Sequence, residues 1–179
     1  MKRLFTGIYL PYGIRERLSN LCYGIPGINW VSEENFHITL KFIGEVEEEK
    51  LFDISDSLSE IKFTPFTITI RGVGSFQGKP NQILWAGVQE SEELINLFNQ
   101  IEKVLGQHEI PKEKRRYSPH ITLGRAKGIN QKKLDEYMFT NHDFSILESV
   151  PINNFQIFSS VLKPKGPVYT IEREYDMIG

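Results

Sequence analysis

The chain has 179 residues, a net charge of −2 at pH 7, 40% hydrophobic residues and 25% charged residues. These values are typical of a globular protein, and they exclude one whose overall charge attracts nucleic acid. The single cysteine, Cys22, excludes an internal disulfide framework and a cysteine-rich zinc site.

Length and apolar runs limit how the chain is organised. A chain of 179 residues can form one sizeable core or two small lobes that share one. No linker or low-complexity segment divides it, so we treat residues 1–179 as a single domain. Every apolar run is too short to cross a membrane, and the basic start at Lys2 and Arg3 is not followed by a small-residue cleavage site. We therefore expect a cytoplasmic protein with no membrane association.

The first half of the chain alternates short strands with amphipathic helices. Alternating β-branched and aromatic residues predict strands, and apolar residues spaced three and four apart predict helices. The predicted elements are a strand over 4–10, a helix over 14–22, a short strand over 28–31, a polar turn over 32–35, a strand over 36–42 that Gly44 closes, and a helix over 47–59.

The second half adds direct hairpins to the same kinds of element. The predicted elements are strands over 66–71 and 83–89 with a loop over 72–82 between them, a helix over 92–108 capped by Ser91, a basic loop over 111–119, a strand from His120, a helix over 130–139, and strands over 143–146, 154–162 and 168–175. This mixture of strand–helix pairs and hairpins predicts an α+β fold with largely antiparallel sheet.

One tetrapeptide occurs twice, about half the chain apart. His37-Ile38-Thr39-Leu40 returns as His120-Ile121-Thr122-Leu123. In a strand, alternation places His and Thr on one face and Ile and Leu on the other, so each copy presents an imidazole and a hydroxyl to the same side. The spacing of the copies and their similar neighbours indicate two related lobes.

Paired His and Thr residues favour chemistry at a phosphate group. An unperturbed imidazole titrates near pH 6.5, so a neutral histidine can take a proton from a nucleophile while a protonated one gives a proton to a leaving group. Threonine hydroxyls can donate hydrogen bonds to an anionic oxygen. Acyl transfer is disfavoured, because no Ser, Cys or Asp is placed as a nucleophile beside these bases. A strand histidine without chemistry is the ordinary alternative, but a structural need for the same pair twice is hard to identify.

A metal-dependent hydrolase is a further alternative. Catalytic zinc generally has three protein ligands, and neither motif has a carboxylate or another histidine at ligand spacing. We interpret the two remaining histidines, His108 and His142, as surface residues. The sequence therefore favours a site without a metal.

Basic residues near the second motif are candidates for phosphate contact. The Arg125 guanidinium, at the end of the strand that begins at His120, can pair with two phosphate oxygens. The basic loop carries four cations within residues 112–116, and Tyr117 follows them. They are suited to an RNA backbone and one stacked base, although charged loops are commonly just solvated.

Five further residues are weaker candidates or core residues. Lys41 and Lys79 are weaker phosphate ligands. Trp30 and Trp85 each fall within an apolar strand, and Cys22 falls on a predicted helix, so we interpret these three as core.

With both motifs in view, the sequence resembles the two-histidine (2H) phosphoesterase superfamily, and more closely its LigT-like branch of RNA 2′,3′-cyclic phosphodiesterases. The most specific stretch is HITLKFIGEV at 37–46. Further similarity lies in RLF at 3–5, LP at 10–11, WV at 30–31, LWAGV at 84–88 and PHITLGR at 119–125. The resemblance covers nearly the whole chain.

This resemblance implies a bilobal α+β fold, with two mainly antiparallel sheets flanking a central cleft, helices on the outside and lobes related by a pseudo-two-fold axis. It implies that His37 is the proton donor to the leaving ribose oxygen and that His120 is the proton acceptor that activates water. Thr39, Thr122 and Arg125 would hold the phosphate. The implied reaction opens a terminal RNA 2′,3′-cyclic phosphate to a 2′-phosphomonoester, with no metal or cofactor.

Other functions stay open at this point. Within the superfamily, the alternative substrates are 2′-5′ linked oligonucleotides and small cyclic nucleotide phosphates. A non-catalytic RNA-binding domain with the same fold is a different class, although binding alone does not need two titrating groups. The expected partner is RNA with a 2′,3′-cyclic phosphate end or a related nucleotide, and a monomer is the default expectation.

Overall fold

Nine strands and four helices form the part of the chain that the structure describes, which is residues 1–78, 81–164 and 166–176 of a computed structural model. The helices are α1 (Tyr12–Ser19), α2 (Glu48–Leu58), α3 (Glu92–Gln107) and α4 (Gln131–Thr140), with a short 3-10 helix at Glu33–Asn35. The strands are β1 (Lys2–Tyr9), β2 (Asn29–Trp30), β3 (His37–Val46), β4 (Phe66–Phe76), β5 (Gln82–Val88), β6 (His120–Ala126), β7 (Ser145–Ile152), β8 (Asn154–Lys163) and β9 (Gly166–Asp176).

All nine strands belong to one antiparallel sheet. Their order is β7-β4-β5-β6-β3-β1-β8-β9, with β2 beside β6. The half formed by β4 to β7 and the half formed by β3, β1, β8 and β9 meet through a single residue pair, Ile38 with Ile121. The predicted α+β class with antiparallel sheet is confirmed, and the two expected sheets are joined edge to edge through this pair.

The four helices cover one face of this sheet. Each buries apolar side chains in the same core as the strands, including Leu18 of α1, Ile54 of α2, Leu97 of α3 and Leu134 of α4. The start of α3 is fixed as predicted, since the Leu94 amide donates to the Ser91 hydroxyl oxygen at 3.2 Å. Fully burying a leucine side chain contributes about 1.5–3 kcal/mol to the free energy of folding, so the core on this face stabilises the sheet. The opposite face is left for the motif side chains.

The first motif strand is longer than the sequence predicts. Gly44 does not end it: β3 continues to Val46, and its register against β1 shifts next to Gly44. The φ of Gly44 is 95°, which residues with a side chain rarely adopt, so the glycine permits a bulge inside the strand.

The predicted loop over 72–82 is wrong in its first part. β4 runs to Phe76, so residues 72–76 are strand. Gly72 has a φ of 75°, and a Cβ added to Gly74 would lie 2.2 Å from the Trp85 ring. The glycines therefore serve a bulge and a close packing contact, which a sequence cannot distinguish from a loop. Lys79 lies outside the described residues.

Smaller differences occur at three other elements. α1 ends at Ser19, so Cys22 lies half-buried in the turn that follows it. The strand predicted over 143–146 runs from Ser145 to Ile152. β8 and β9 form the predicted hairpin, although Lys165 of its turn lies outside the described residues.

Candidate active site

Both copies of the tetrapeptide lie on neighbouring strands at the middle of the sheet. β3 begins at His37 and β6 begins at His120. In both strands the Ile and Leu are buried, while the His and Thr stay partly accessible. His37, Thr39, His120 and Thr122 therefore share the face of the sheet that the helices leave open.

The pairing of the two motif strands aligns each histidine with the threonine of the other strand. Ile38 pairs with Ile121 in antiparallel register. One residue to either side of this pair, position 37 faces position 122 and position 39 faces position 120. Each imidazole thus has one hydroxyl on its own strand and another across the gap.

A backbone carbonyl orients each histidine ring. His37 Nδ1 lies 2.7 Å from the Asn35 carbonyl oxygen, and His120 Nδ1 lies 2.8 Å from the Ser118 carbonyl oxygen. A carbonyl only accepts, so Nδ1 carries the hydrogen in both rings and Nε2 keeps the free lone pair. In His37, Nε2 lies 3.1 Å from Thr39 Oγ1, whose hydroxyl donates to it while the ring is neutral. The sequence did not reveal these carbonyls, which belong in both copies to the residue two positions before the histidine.

Three aromatic rings enclose His37. The ring centroids of Phe5 and Phe158 lie 4.9 and 5.9 Å from its own, and Tyr169 meets it edge-on at 5.1 Å. They come from β1, β8 and β9, which follow β3 in that order across the sheet. Sequence reasoning missed them because each is an ordinary strand residue far from His37 along the chain.

Two aromatic rings stand beside His120. Phe76 meets it edge-on at 4.9 Å between centroids, and Trp85 lies at 6.5 Å. The prediction that Trp85 is a core residue is wrong: it is half-buried on the open face, where it lies flat over Gly74. Trp30 does pack against the core, as predicted.

Burial lowers the pKa of both histidines. The pKa of His37 falls from 6.5 to about 4, first because burial disfavours the charged ring and then because Arg125 and His120 are positive neighbours, while the Asn35 carbonyl opposes the change. Burial and Arg125 also lower the pKa of His120, against the Ser118 carbonyl. Both rings are therefore mostly neutral at pH 7 in the unliganded protein. We expect the two imidazoles to titrate below neutral pH.

Arg125 lies close to the histidine pair. Its charge lowers the pKa of both histidines, which places it within electrostatic reach of each. Burial raises the pKa of Tyr169, and a hydrogen bond and the positive charge of Arg125 oppose that rise. Arg125 forms no ion pair within residues 1–78, 81–164 and 166–176, so its charge is available to an anion.

Lys41 lies away from this site, so its prediction as a weak phosphate ligand is wrong. Its Nζ lies 2.5 Å from Glu102 Oε1 and 2.7 Å from the Pro111 carbonyl oxygen, with 6% of the side chain exposed. Glu102 belongs to α3, so Lys41 points to the face that the helices cover. The register of β3 against β1 shifts between Thr39 and Lys41, which removes Lys41 from the face of the motif residues.

The basic loop and Tyr117 lie along α3. The sequence predicts a base stacked on Tyr117, but Phe98 stacks on that ring at 4.2 Å between centroids. The Tyr117 hydroxyl donates to the Thr39 carbonyl oxygen at 3.1 Å, and Arg116 pairs with Glu90 at 2.8 Å. Tyr117 therefore supports the backbone of the first motif strand.

The other two histidines lie outside the open face. His142 is exposed, and His108 Nε2 lies 2.8 Å from the Ser57 hydroxyl oxygen of α2. Within the described part of the chain, no group of three or more His, Cys, Asp or Glu side chains is arranged to hold a metal ion. The described helices include none that is long and apolar enough to cross a membrane.

Two cavities flank the tip of the β8–β9 hairpin. One, of about 1000 Å³, adjoins His37, and the other, of about 640 Å³, adjoins Arg125. The hairpin is tied down between them, since Asn35 Nδ2 donates to the Pro167 carbonyl oxygen at 2.9 Å. His120 lines neither of these two cavities, so they adjoin the histidine pair and do not enclose it.

The chain is similar to known proteins over nearly its whole length. The family described as LigT-like phosphoesterase matches residues 8–85 and 87–169. An RNA 2′,3′-cyclic phosphodiesterase of Archaeoglobus fulgidus is 36% identical over 97% of this chain and 99% of its own. One from Thermotoga maritima is 36% identical over 86% of this chain and 81% of its own. The crystal structure of E. coli LigT complexed with 3′-AMP superimposes with a TM-score of 0.79 and 24% identity over 99% of both chains, which shows a shared fold.

Proposed function

The chain belongs to the LigT-like phosphoesterase family, and from that premise we propose that it hydrolyses the 2′,3′-cyclic phosphate at the 3′ end of RNA. Its relatives in A. fulgidus and T. maritima are named for this reaction. The observation that carries the proposal is the histidine pair, each ring held at Nδ1 by a carbonyl and left with Nε2 for proton transfer. Two such groups on one open face suit a reaction in which one proton leaves a nucleophile and another joins a leaving group.

In the proposed mechanism, His120 is the base and His37 is the acid. The neutral Nε2 of His120 takes a proton from a water that attacks phosphorus opposite the 3′ oxygen. As the bond from phosphorus to that oxygen breaks, protonated His37 gives it a proton. The products are a 2′-phosphomonoester and a free 3′ hydroxyl. The family resemblance supports this assignment of the two roles, since the geometry of the pair is nearly symmetric.

The acid role requires a proton on His37, whose pKa is about 4 in the unliganded protein. A cyclic phosphate diester carries one negative charge, and an anion beside the ring favours the charged imidazole. The substrate therefore raises the pKa of His37 and is bound together with a proton. The positive charge of one ring disfavours a second proton on the other, so the pair shares one proton in the reactive state.

Thr39, Thr122 and Arg125 are the proposed phosphate ligands. The two hydroxyls lie on the same face as the histidines, and Arg125 lies within electrostatic reach of both rings. Hydrogen bonds from these groups strengthen as charge builds on the phosphate oxygens during attack. Removing a preorganised donor of this kind commonly costs about 10²–10³ in rate.

The test is an assay on RNA that ends in a 2′,3′-cyclic phosphate, with the product mapped as a 2′ or a 3′ phosphate. We expect a 2′-phosphate, formed equally with and without EDTA. His37→Ala and His120→Ala should each lower kcat by at least ~10²-fold, the usual contribution of a general acid or base.

His142→Ala is the matched control, because it removes an exposed imidazole and should leave kcat unchanged. Near-normal turnover by either motif variant would contradict the mechanism, and loss of activity in EDTA would favour a metal-dependent hydrolase. RNA binding without turnover would favour the non-catalytic alternative. The monomeric state and the cytoplasmic location stay predictions.

A further inference from the structure

The cavity beside Arg125 is lined by cations and has no acidic residue in its described lining. We call it the strand-end groove, because it lies where β6 ends. Its walls include Trp30, Asn81, Arg125, Lys127 and Lys163. The chain has 23 acidic and 21 basic residues, so a cavity with three cations and no carboxylate departs from the composition of the whole.

The cavity beside the basic loop and the cavity that adjoins His37 both include acidic residues, whereas the described lining of the groove has none. Arg116 of the basic loop pairs with Glu90, and the cavity beside that loop is also lined by Glu102 and Glu113. The cavity that adjoins His37 includes Glu34. The three groove cations form no ion pair within the part of the chain that the structure describes. The groove therefore offers three cations to a polyanion, with no carboxylate in its described lining to compete.

The groove is continuous with the reaction site. Arg125 and Tyr169 line it. The Tyr169 ring lies against His37, and the charge of Arg125 lowers the pKa of His120. The seven residues of β6 lead from His120 to the groove, a rise of roughly 20 Å at the usual spacing of a strand. Lys127 follows directly, and Lys163 comes from the hairpin tip. A chain that leaves the histidines along β6 thus passes Arg125 first and the two lysines next.

We propose that the strand-end groove binds the RNA backbone on the 5′ side of the terminal nucleotide, with Lys127 and Lys163 each as the ligand of one internucleotide phosphate. The inference rests on the proposed function. A 2′,3′-cyclic phosphate uses both ribose hydroxyls, so the rest of the RNA must leave through the 5′ oxygen. Its negative charges then follow one per nucleotide, and those that reach the end of β6 meet Lys127 and Lys163. The groove selects an RNA strand over a mononucleotide, which lacks these charges.

The test compares three substrates: 2′,3′-cyclic AMP, a pentaadenylate with a 2′,3′-cyclic end, and the same pentaadenylate with neutral methylphosphonates at all of its internucleotide linkages. The variant is Lys127→Ala with Lys163→Ala. We expect it to raise KM for the charged pentaadenylate by about tenfold and to lower the slope of log(kcat/KM) against log[salt] by about 1.4, since each single-strand phosphate contact contributes about 0.7. Turnover of 2′,3′-cyclic AMP should be unchanged. Replacing the phosphates with methylphosphonates should raise KM in the unsubstituted protein. It should not raise KM further in the variant.

Lys112→Ala with Lys114→Ala is the matched control, because it removes the same charge from the exposed basic loop. The proposal is overturned if the groove variant affects all three substrates equally, if the control raises KM for the pentaadenylate as much, or if the unsubstituted protein shows equal KM values for pentaadenylate and 2′,3′-cyclic AMP. If the folded, unsubstituted protein hydrolyses neither, the proposed function itself fails.

Discussion

At the scale of single residues, burial of the histidines sets the pH at which the site works. The proposed reaction needs one neutral and one protonated ring, and the pKa of both is lowered, to about 4 for His37. Because kcat/KM reports the free protein, we expect its bell-shaped profile to peak below pH 6.5. The profile of kcat should peak at higher pH, because a bound phosphate anion raises both pKa values. Steady-state kinetics between pH 3.5 and 9 measure both.

Arg125→Gln provides the control for this profile. The guanidinium lowers the pKa of both histidines, so its removal should move the kcat/KM optimum to higher pH and raise KM as well. A kcat/KM optimum at or above pH 7 in the unsubstituted protein would show that the rings are not held neutral by burial.

The repeated motif identified the side chains proposed to react but not what surrounds them. Alternation along a strand is local, so the shared face of His37 and Thr39 could be predicted from four residues. The ring of Phe158 reaches His37 only because β8 returns beside β1, which is a long-range consequence of the sheet order. The lowered pKa values follow from that enclosure. Because the sequence does not show the enclosure, it suggested that the two imidazoles titrate near neutrality.

At the scale of elements, the close contact between β4 and β5 positions Trp85 beside His120. A Cβ on Gly74 would lie 2.2 Å from the Trp85 ring, so Gly74→Val must displace that ring. We expect the unfolding free energy to fall by about 1–3 kcal/mol, as for overpacked sites, and kcat to fall as His120 loses its neighbour. Urea unfolding, tryptophan fluorescence and the RNA assay measure these effects.

Gly106→Ala is the matched control for Gly74→Val. It lies near the end of α3, and an added Cβ there meets nothing within 4 Å. It should stabilise the protein by about 0.4–1 kcal/mol through the unfolded state and leave kcat unchanged. An unshifted tryptophan spectrum and normal kcat in Gly74→Val would show that Trp85 does not support the site.

A second contact between elements is the ion pair that joins β3 to α3. Lys41 and Glu102 are both buried and lie 2.5 Å apart. Lys41→Met leaves Glu102 buried without its partner, so we expect a loss of about 3–5 kcal/mol of unfolding free energy. Adding Glu102→Leu should recover most of that loss, because an apolar pair of similar size is commonly neutral. Equal stability of the single and double variants in urea unfolding would contradict a charge effect.

Bulges explain where the element predictions failed. Strict alternation assigns Lys41 to the face of His37, and a register shift in β3 moves it to the helix side. Glycine in a strand pattern weakens the prediction of a strand, yet Gly44 and Gly72 lie inside β3 and β4 with positive φ. A bulge depends on the partner strand, so a single strand pattern cannot locate it.

At the scale of the whole molecule, the halves of the sheet are not the halves of the sequence. The half that carries β3 is completed by β8 and β9, from the C-terminal part of the chain, while β4 to β7 form the other half. The spacing of the two motifs predicts two related units, but strand order depends on pairings that no local pattern records. We propose that these two sheet halves are the lobes of one domain, joined where Ile38 meets Ile121.

The buried, neutral state of His37 also ties the stability of the whole fold to pH. Its pKa is about 4 in the folded protein against 6.5 ordinarily, so between these values the unfolded chain binds a proton that the folded chain does not. The stability from this residue is complete above pH 6.5 and is lost as the pH falls toward 4. Its upper bound is about 3 kcal/mol, since part of the ring is solvent-accessible.

Urea unfolding at pH 7 and pH 4.5 tests this link. We expect the unfolding free energy of the unsubstituted protein to fall over this range, and His37→Gln to reduce the fall by about 1–3 kcal/mol, because glutamine binds no proton in either state. His142→Gln is the matched control, since it removes an exposed imidazole. Inorganic phosphate should stabilise the unsubstituted protein more at pH 4.5 than at pH 7, because an anion beside His37 restores proton binding to the folded state. If His37→Gln loses as much stability on acidification as His142→Gln does, the buried ring is not the group that links folding to pH.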